Sequence, residues 1–271
     1  MKAWKDRSWS WDIEGLSLHS YAAGGWPPHL PDTGFDEKDY AVLLKDSIGM
    51  DETIKTQSAI MDKYDPEKKV ALVVDEWGAW LAPTPGSSPG ALAQQNTQRD
   101  AVLAALSINV FARHADRVRM ANIAQMINVL QAMILTKDDK MVLTPTYHVF
   151  HMYVPFQDAT FVPLTFDAGT YTTNGVTLPR VDAVAARDKA GKVWIAVTNI
   201  DAKSPATFSV SLAGVKATKA AGQTLSAPKV SSINTFDAPN TVAPKALSAK
   251  VAGGKLTVTV APASVTVLGL E

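Results

Sequence analysis

Two segments of this sequence carry side chains whose types and spacing could do chemistry. The first is VALVVDEWGAW, residues 70 to 80. Its apolar run, Val70 to Asp75, has the length of a parallel strand covered on both faces. That strand would deliver Glu76 to its carboxyl end, where α/β enzymes keep their reactive groups. A carboxylate there could serve as nucleophile or as acid and base, and it could equally cap a helix or pair with an arginine. Strand alternation sends Asp75 to the opposite face, so it is not expected to share the role of Glu76.

The second segment is LSLHSY, residues 16 to 21, in which period two puts His19 and Tyr21 on one face. They would lie beside Glu76 if the two strands were neighbours. A tyrosine hydroxyl donating to a carboxylate holds it ionised and aimed, as a nucleophile requires; a lone histidine is as readily a structural residue. Trp26, Trp77 and Trp80 offer flat faces for stacking on sugar C–H groups, or for packing a core. The amide of Gln125, in NIAQMINVLQ, could bind a hydroxyl or face solvent. Asn96, Arg99, Asp100, Arg113, His114, Asp116, Arg117 and Arg119 read as helix-face and interface ion pairs without metal-ligand spacing. HExxH, P-loop and strand-linked GxGxxG patterns are absent, which argues against metal, nucleotide and dinucleotide cofactors.

The elements that must position these groups follow from periodicity. Ile13 to His19 reads as a strand, followed by a Gly/Pro-rich loop, AAGGWPPHLPDTG, long enough to be functional. Apolar residues from Asp36 to Tyr64 recur at helical spacing until Asp65-Pro66 stops them, giving one helix or two in series. Gln94 to His114 reads as a helix, Arg117 to Met120 as a strand and Ile123 to Leu135 as a further helix. Repeated βα units imply a parallel sheet or barrel with right-handed crossovers. Only three such units fit before residue 140, whereas an eight-unit barrel takes about 250 residues.

Behind residue 155 the pattern changes to period two, in Lys192 to Ile200, Ala206 to Leu212, Lys255 to Val260 and Ser264 to Leu268. Short alternating strands between Gly, Pro, Asn and Asp turns read as an antiparallel β-sandwich. Composition shifts at the same place. All five histidines and six of seven tryptophans precede residue 155, and net charge is −4 up to Phe150 and +4 beyond it. Two domains are expected, residues 1–154 and 155–271. The whole chain of 271 residues balances 26 Lys+Arg against 26 Asp+Glu, so no electrostatic footprint recruits nucleic acid or an acidic membrane surface. No apolar run approaches the ~20 residues that cross a bilayer. Charges and tryptophans interrupt the amino-terminal MKAWKDRSWSWDIEG before it could form a signal-peptide core, which favours a cytoplasmic over a secreted location. The absence of cysteine rules out a disulfide framework and a thiolate nucleophile.

Together LSLHSY, VDEWGAW, QQNTQRDAVLAALSINVF, HADRVRMANIAQMINVLQAMILT and TPTYHVFHMY resemble the family 51 glycoside hydrolases, the α-L-arabinofuranosidases, from about Gly15 to Tyr153. The resemblance implies the carboxyl-terminal part of a (β/α)8 TIM barrel, strands six to eight, followed by a jelly-roll-like sandwich. It implies retaining cleavage of terminal arabinofuranosyl residues on hemicellulose-type oligosaccharides or polysaccharides, with no cofactor. By the same match Glu76 is the nucleophile and Tyr21 supports it, while His19, Trp80, Gln125 and, more loosely, Trp26 line the sugar site. Ser20 stands where the family usually has an aromatic residue. The family's acid/base glutamate lies in a Gly-Asn-Glu motif that this sequence lacks. Retention needs two carboxyl groups about 5–5.5 Å apart, so the isolated chain is expected to be nearly inactive. The implied partners are further copies of the chain or a complementing amino-terminal chain. A noncatalytic carbohydrate-binding protein is the rival expectation.

Overall fold

The computed structural model describes residues 1–6 and 12–271; Trp9 and Trp11 of the amino-terminal segment lie outside them. After a short helix α1 (Lys2–Asp6), three strands form a parallel sheet in the order β1 (Gly15–Ala22), β2 (Ala71–Ala79), β3 (Val118–Ile123). Helices α2 (Glu37–Ile48) and α3 (Met50–Asp62) connect β1 to β2, and α4 (Gln98–Arg113) connects β2 to β3.

Local sequence sets these boundaries. Asp36 caps α2 by accepting the Asp39 amide at 2.9 Å, while the Asp39 carboxylate accepts the Asp36 amide in return. Tyr40, Leu43 and Leu44 then bury one face of that helix. Thr97 and Asp100 form the same reciprocal cap on α4, which therefore begins at Gln98 rather than Gln94. Behind the sheet, the Arg117 guanidinium donates to Asp65 Oδ2 at 2.7 Å and to the Val70 carbonyl at 2.9 Å, tying the turn after α3 to the start of β3.

The helix expected from Ile123 to Leu135 does not form. The chain leaves β3 through a loop in which Asn128 and Leu130 have positive φ, then makes a hairpin of β4 (Ile134–Lys137) and β5 (Lys140–Leu143) turned at Asp138-Asp139. Apolar residues there are too dense for periodicity to separate helix from strand. Asn96 Nδ2 takes the Ala132 carbonyl at 2.5 Å, and Gln131 turns its own side chain to the ends of β2 and α4. The helix falls later, as α5 (Pro145–Met152), with Thr144 as cap and Pro145 in its first turn.

Eight of the remaining ten strands form an antiparallel sheet. Its order is β11 (Ala206–Ser211), β14 (Lys255–Val260), β13 (Lys245–Ala252), β12 (Lys219–Leu225), β15 (Ser264–Leu270), β10 (Val193–Asn199), β9 (Val181–Arg187), β6 (Thr160–Val162). A small hairpin, β7 (Thr170–Thr173) and β8 (Val176–Pro179), turns on Asn174-Gly175, both at positive φ. Val181, Ala183 and Ala185 near one end of the sheet share a core with Phe208, Val210 and Val258 at the other, so the sheet curls over on itself. This curled sheet is consistent with the expected sandwich. Gly222 is required within it, since a Cβ there would stand 2.0 Å from the Val267 carbonyl oxygen.

Helix α4 lies between the two sheets and is buried almost all round. One core joins Leu72, Val74 and Trp77 of β2, Ala101 and Ala104 of α4, and Val184, Ala196 and Val267 of the curled sheet. Polar ties cross the same boundary: Asn109 Nδ2 and Arg113 Nη1 each donate to Asp182 at 2.9 Å, and Gln98 Nε2 donates to the Ala263 carbonyl at 2.8 Å. The clustered ionisable residues expected to form helix-face and interface pairs therefore do so in part here. Arg99 and Asp100 also pair, at 3.9 Å, but with both side chains fully buried rather than on an exposed helix face.

Candidate active site

Strands β1 and β2 run side by side with His19 opposite Glu76 and Tyr21 opposite Gly78. The register is broken between Ser17 and His19, where one residue of β1 spans two of β2. This β-bulge interrupts alternation. Val74 and Trp77 go to the helix-covered core, while Asp75 and Glu76 both stay partly exposed beside His19. The expectation that Asp75 would point away from Glu76 is thereby overturned. Period two holds only for a regular strand, and nothing in the residue types marks the extra residue.

Around Glu76 the contacts are short. The Tyr21 hydroxyl donates to Glu76 Oε2 at 2.6 Å, and His19 Nδ1 lies 3.3 Å from the same oxygen. On its other side, His19 Nε2 lies 3.3 Å from Asp75 Oδ1, which also accepts the Ser17 hydroxyl at 2.7 Å. Burial pushes the Tyr21 phenol far above its ordinary value, helped by its hydrogen bond to Glu76 and by the charge of that carboxylate. Tyr21 therefore remains a donor at any working pH. Asp75 is held below the usual carboxylate range, first by the Ser17 hydroxyl and then by its backbone contact and His19.

An aromatic wall continues from Tyr21. Its ring meets the edge of Trp80 at a centroid distance of 5.0 Å, and Trp80 meets Trp26 at 5.4 Å, both T-shaped. Trp26 leaves 73% of its surface exposed, so its faces are free. It stands on the Gly/Pro-rich loop, which is pinned at both ends. Asp46 of α2 accepts the amides of Ala23 and Gly24 at 2.8 and 2.9 Å. The buried Arg99 guanidinium lies 3.8 Å over the Phe35 ring and donates to the carbonyls of Pro31 and Asp32. Asp32 in turn accepts the Gln95 amide at 2.8 Å. After β2, Gln94 pairs with both the Ala79 carbonyl and the Leu81 amide, which holds the backbone on either side of Trp80.

The predicted residues thus fall into two groups. Glu76, Tyr21, His19, Trp80 and Trp26 come together on one side of the sheet's carboxyl end. Gln125 lies in the loop leaving the carboxyl end of β3, its side chain exposed and without a hydrogen bond among the described residues. A second glutamine is firmly held: Gln131 Oε1 accepts the Ala79 amide at 2.7 Å, and Gly78, at φ +135°, leaves room for it where a Cβ would approach to 3.2 Å. Sequence reasoning passed over Ser17, Asp46, Asp32 and the buried role of Arg99, and set Asp75 aside. Ser17 was within reach, two residues before His19 on the same strand; the others act across long sequence separations.

The carboxyl-terminal domain model of α-L-arabinofuranosidases matches residues 75–264, most of the chain. The chain belongs to this arabinofuranosidase family. A crystal structure of a family 51 arabinofuranosidase from Xanthomonas axonopodis pv. citri is 52% identical to it, superposes with a TM-score of 0.94, and is matched over 95% of this chain and 53% of its own. An intracellular exo-α-L-arabinofuranosidase from Bacteroides ovatus is 42% identical over 96% of this chain and 51% of its own length. A family 51 α-L-arabinofuranosidase from Bifidobacterium longum is 26% identical, with a TM-score of 0.77. The chain spans about half the length of these full arabinofuranosidases.

Proposed function

We propose that this chain supplies the nucleophile half of a retaining exo-α-L-arabinofuranosidase acting on terminal arabinofuranosyl groups of hemicellulose-type glycans. The observation that carries the reading is Glu76 held by Tyr21 at 2.6 Å and flanked by His19, beside the Trp80–Trp26 wall. In the reaction Glu76 attacks the anomeric carbon and forms a glycosyl ester, while a general acid protonates the departing oxygen; the same group, now a base, activates the water that cleaves the ester.

Asp75 is the other carboxylate beside His19, and it does not fit the role of that acid. A general acid must hold its proton near the working pH, whereas Asp75 accepts the Ser17 hydroxyl and has its affinity for a proton lowered. The acid/base is therefore assigned to a segment outside these residues, carried in the same polypeptide or a complementing chain. In this reading residues 1–154 are strands six to eight of a (β/α)8 barrel and residues 155–271 a carboxyl-terminal β-domain. Trp80 and Trp26 stack on the sugar, Gln125 reaches a hydroxyl, and the enzyme works inside the cell, as the Bacteroides relative is named to do.

The test is arabinose release from an arabinofuranosyl oligosaccharide. The chain alone is expected to release almost none. Mixed with the amino-terminal half of the Xanthomonas arabinofuranosidase it is expected to turn over, and Glu76→Gln in the mixture to abolish the activity. Glu76-dependent release by the chain alone would overturn the assignment of the acid to another segment. Saturable sugar binding without turnover in the mixture would favour a noncatalytic carbohydrate-binding protein.

A further inference from the structure

We propose that Gln131 is a positioning residue that holds Trp80 at the sugar site by standing in for a missing strand; its kinetic purpose rests on the glycosidase reading, its geometry does not. Past Trp77, strand β2 keeps a neighbour on one side only. Toward β1, the Trp80 amide donates to the Ala22 carbonyl at 2.9 Å. Toward β3, the pairing ends at Trp77 and Ile123, with a last bond of 2.9 Å from the Ala124 amide to the Trp77 carbonyl, and the chain then leaves the sheet. The backbone groups beyond that point still need partners, because the segment is buried.

Two buried glutamines supply them. Gln131 Oε1 accepts the Ala79 amide at 2.7 Å, Gln94 Nε2 donates to the Ala79 carbonyl at 2.9 Å, and Gln94 Oε1 accepts the Leu81 amide at 3.0 Å. Side chains thus grip the peptides on either side of Trp80 where a strand would otherwise lie. Gln131 is itself fixed from two helices. Its Nε2 donates to the Asp100 carbonyl of α4 at 2.8 Å and to Thr146 Oγ1 of α5 at 3.2 Å. The amide therefore passes the position of both helices to the peptide that precedes Trp80.

That position matters through what Trp80 touches. Its ring meets Tyr21 at 5.0 Å and Trp26 at 5.4 Å, and the Tyr21 hydroxyl reaches Glu76 at 2.6 Å. Without the Gln131 acceptor the Ala79 amide is left buried and unpaired, so the segment must shift to satisfy it. Trp80, the next residue, shifts with it. Glu76 lies before the end of the β3 pairing and keeps its bond from Tyr21.

Gln131→Met removes the acceptor at nearly constant volume. In the chain alone, the NOE cross-peak between the Tyr21 and Trp80 rings, assigned with Trp80→Phe, is expected to weaken in this variant. In the mixture with the Xanthomonas amino-terminal half, KM is expected to rise about three- to tenfold while kcat changes less than about twofold. A role through Trp80 makes the two sites non-additive, so adding Gln131→Met to Trp80→Ala should raise KM no further. Thr146→Val takes away one of the two acceptors of Gln131 Nε2 and is expected to act in the same direction more weakly. It carries the same comparison if Gln131→Met lowers Tm too far for assembly. An unchanged cross-peak, or KM effects that add to those of Trp80→Ala, would make Gln131 merely structural and overturn the proposal. Absence of turnover in the unsubstituted mixture, with the cross-peak weakened in the variant, would instead overturn the glycosidase reading.

Discussion

The Tyr21 hydroxyl stands 2.6 Å from Glu76 Oε2, on the neighbouring parallel strand. A phenol that keeps its proton at all working pH values donates permanently to that oxygen, which fixes the direction of the carboxylate. The bond is possible because His19 pairs opposite Glu76, leaving Tyr21 one step on along the same face.

Tyr21→Phe removes the donor and leaves the ring edge on Trp80. In the complemented assembly kcat/KM is expected to fall about ten- to a hundredfold, the worth of a hydrogen bond to a charged group. Steady-state kinetics of the variant checks this. No alkaline loss of activity traceable to Tyr21 is expected below pH 10, because its proton is held more tightly than in free tyrosine.

Trp26 and Trp80 should separate binding from catalysis. Trp26→Ala is expected to raise KM about three- to tenfold, with kcat and Tm unchanged, because the side chain is mostly exposed and meets the edge of Trp80 rather than Glu76's immediate partners. Trp80→Ala also withdraws support from the Tyr21 ring, so both KM and kcat should suffer. Kinetics and thermal melts of the two variants make the comparison.

Stability in acid should depend on Asp65. Burial raises its affinity for a proton, but the Val70 and Lys69 amides and the Arg117 guanidinium outweigh burial and leave it below the ordinary carboxylate value. A group depressed in the folded state contributes stability that is full above its unfolded value and is lost as pH falls through the folded one. Asp65→Asn is expected to cost about 2 kcal/mol at pH 7, by removing a charge-assisted hydrogen bond to the buried Arg117 and leaving Asp62 as its remaining carboxylate partner. That cost should shrink below pH 4, as measured by urea unfolding across pH.

Much of this was legible in the sequence because the signals were local. The strand around Val70 to Asp75, the paired helices after Asp36 and the alternating strands after residue 190 all follow from runs of adjacent residues, and so do Glu76, His19 and Tyr21. The structure lengthens β2 to Ala79 and β1 to Ala22. What escaped depends on partners far along the chain. The stretch from Ile123 to Leu135 turns where Asn96 and Gln131 make side-chain bonds to backbone from other elements. The Trp26 loop holds its shape through Arg99, some seventy residues later, and the bulge that brings Asp75 beside His19 is a property of pairing between two strands.

In the proposed mechanism Glu76, and no neighbouring acid, bonds to the sugar. An aryl arabinofuranoside whose leaving group departs without a proton bypasses the need for a general acid in the first step. In an assembly with the amino-terminal half whose acid/base is disabled, the glycosyl ester should form and then linger for want of a base. Peptide mass spectrometry after a rapid acid quench is expected to find one pentosyl group on Glu76, with Asp75 unmodified and no label in Glu76→Gln. A pentosyl group on Asp75, or one that survives Glu76→Gln, would contradict the account.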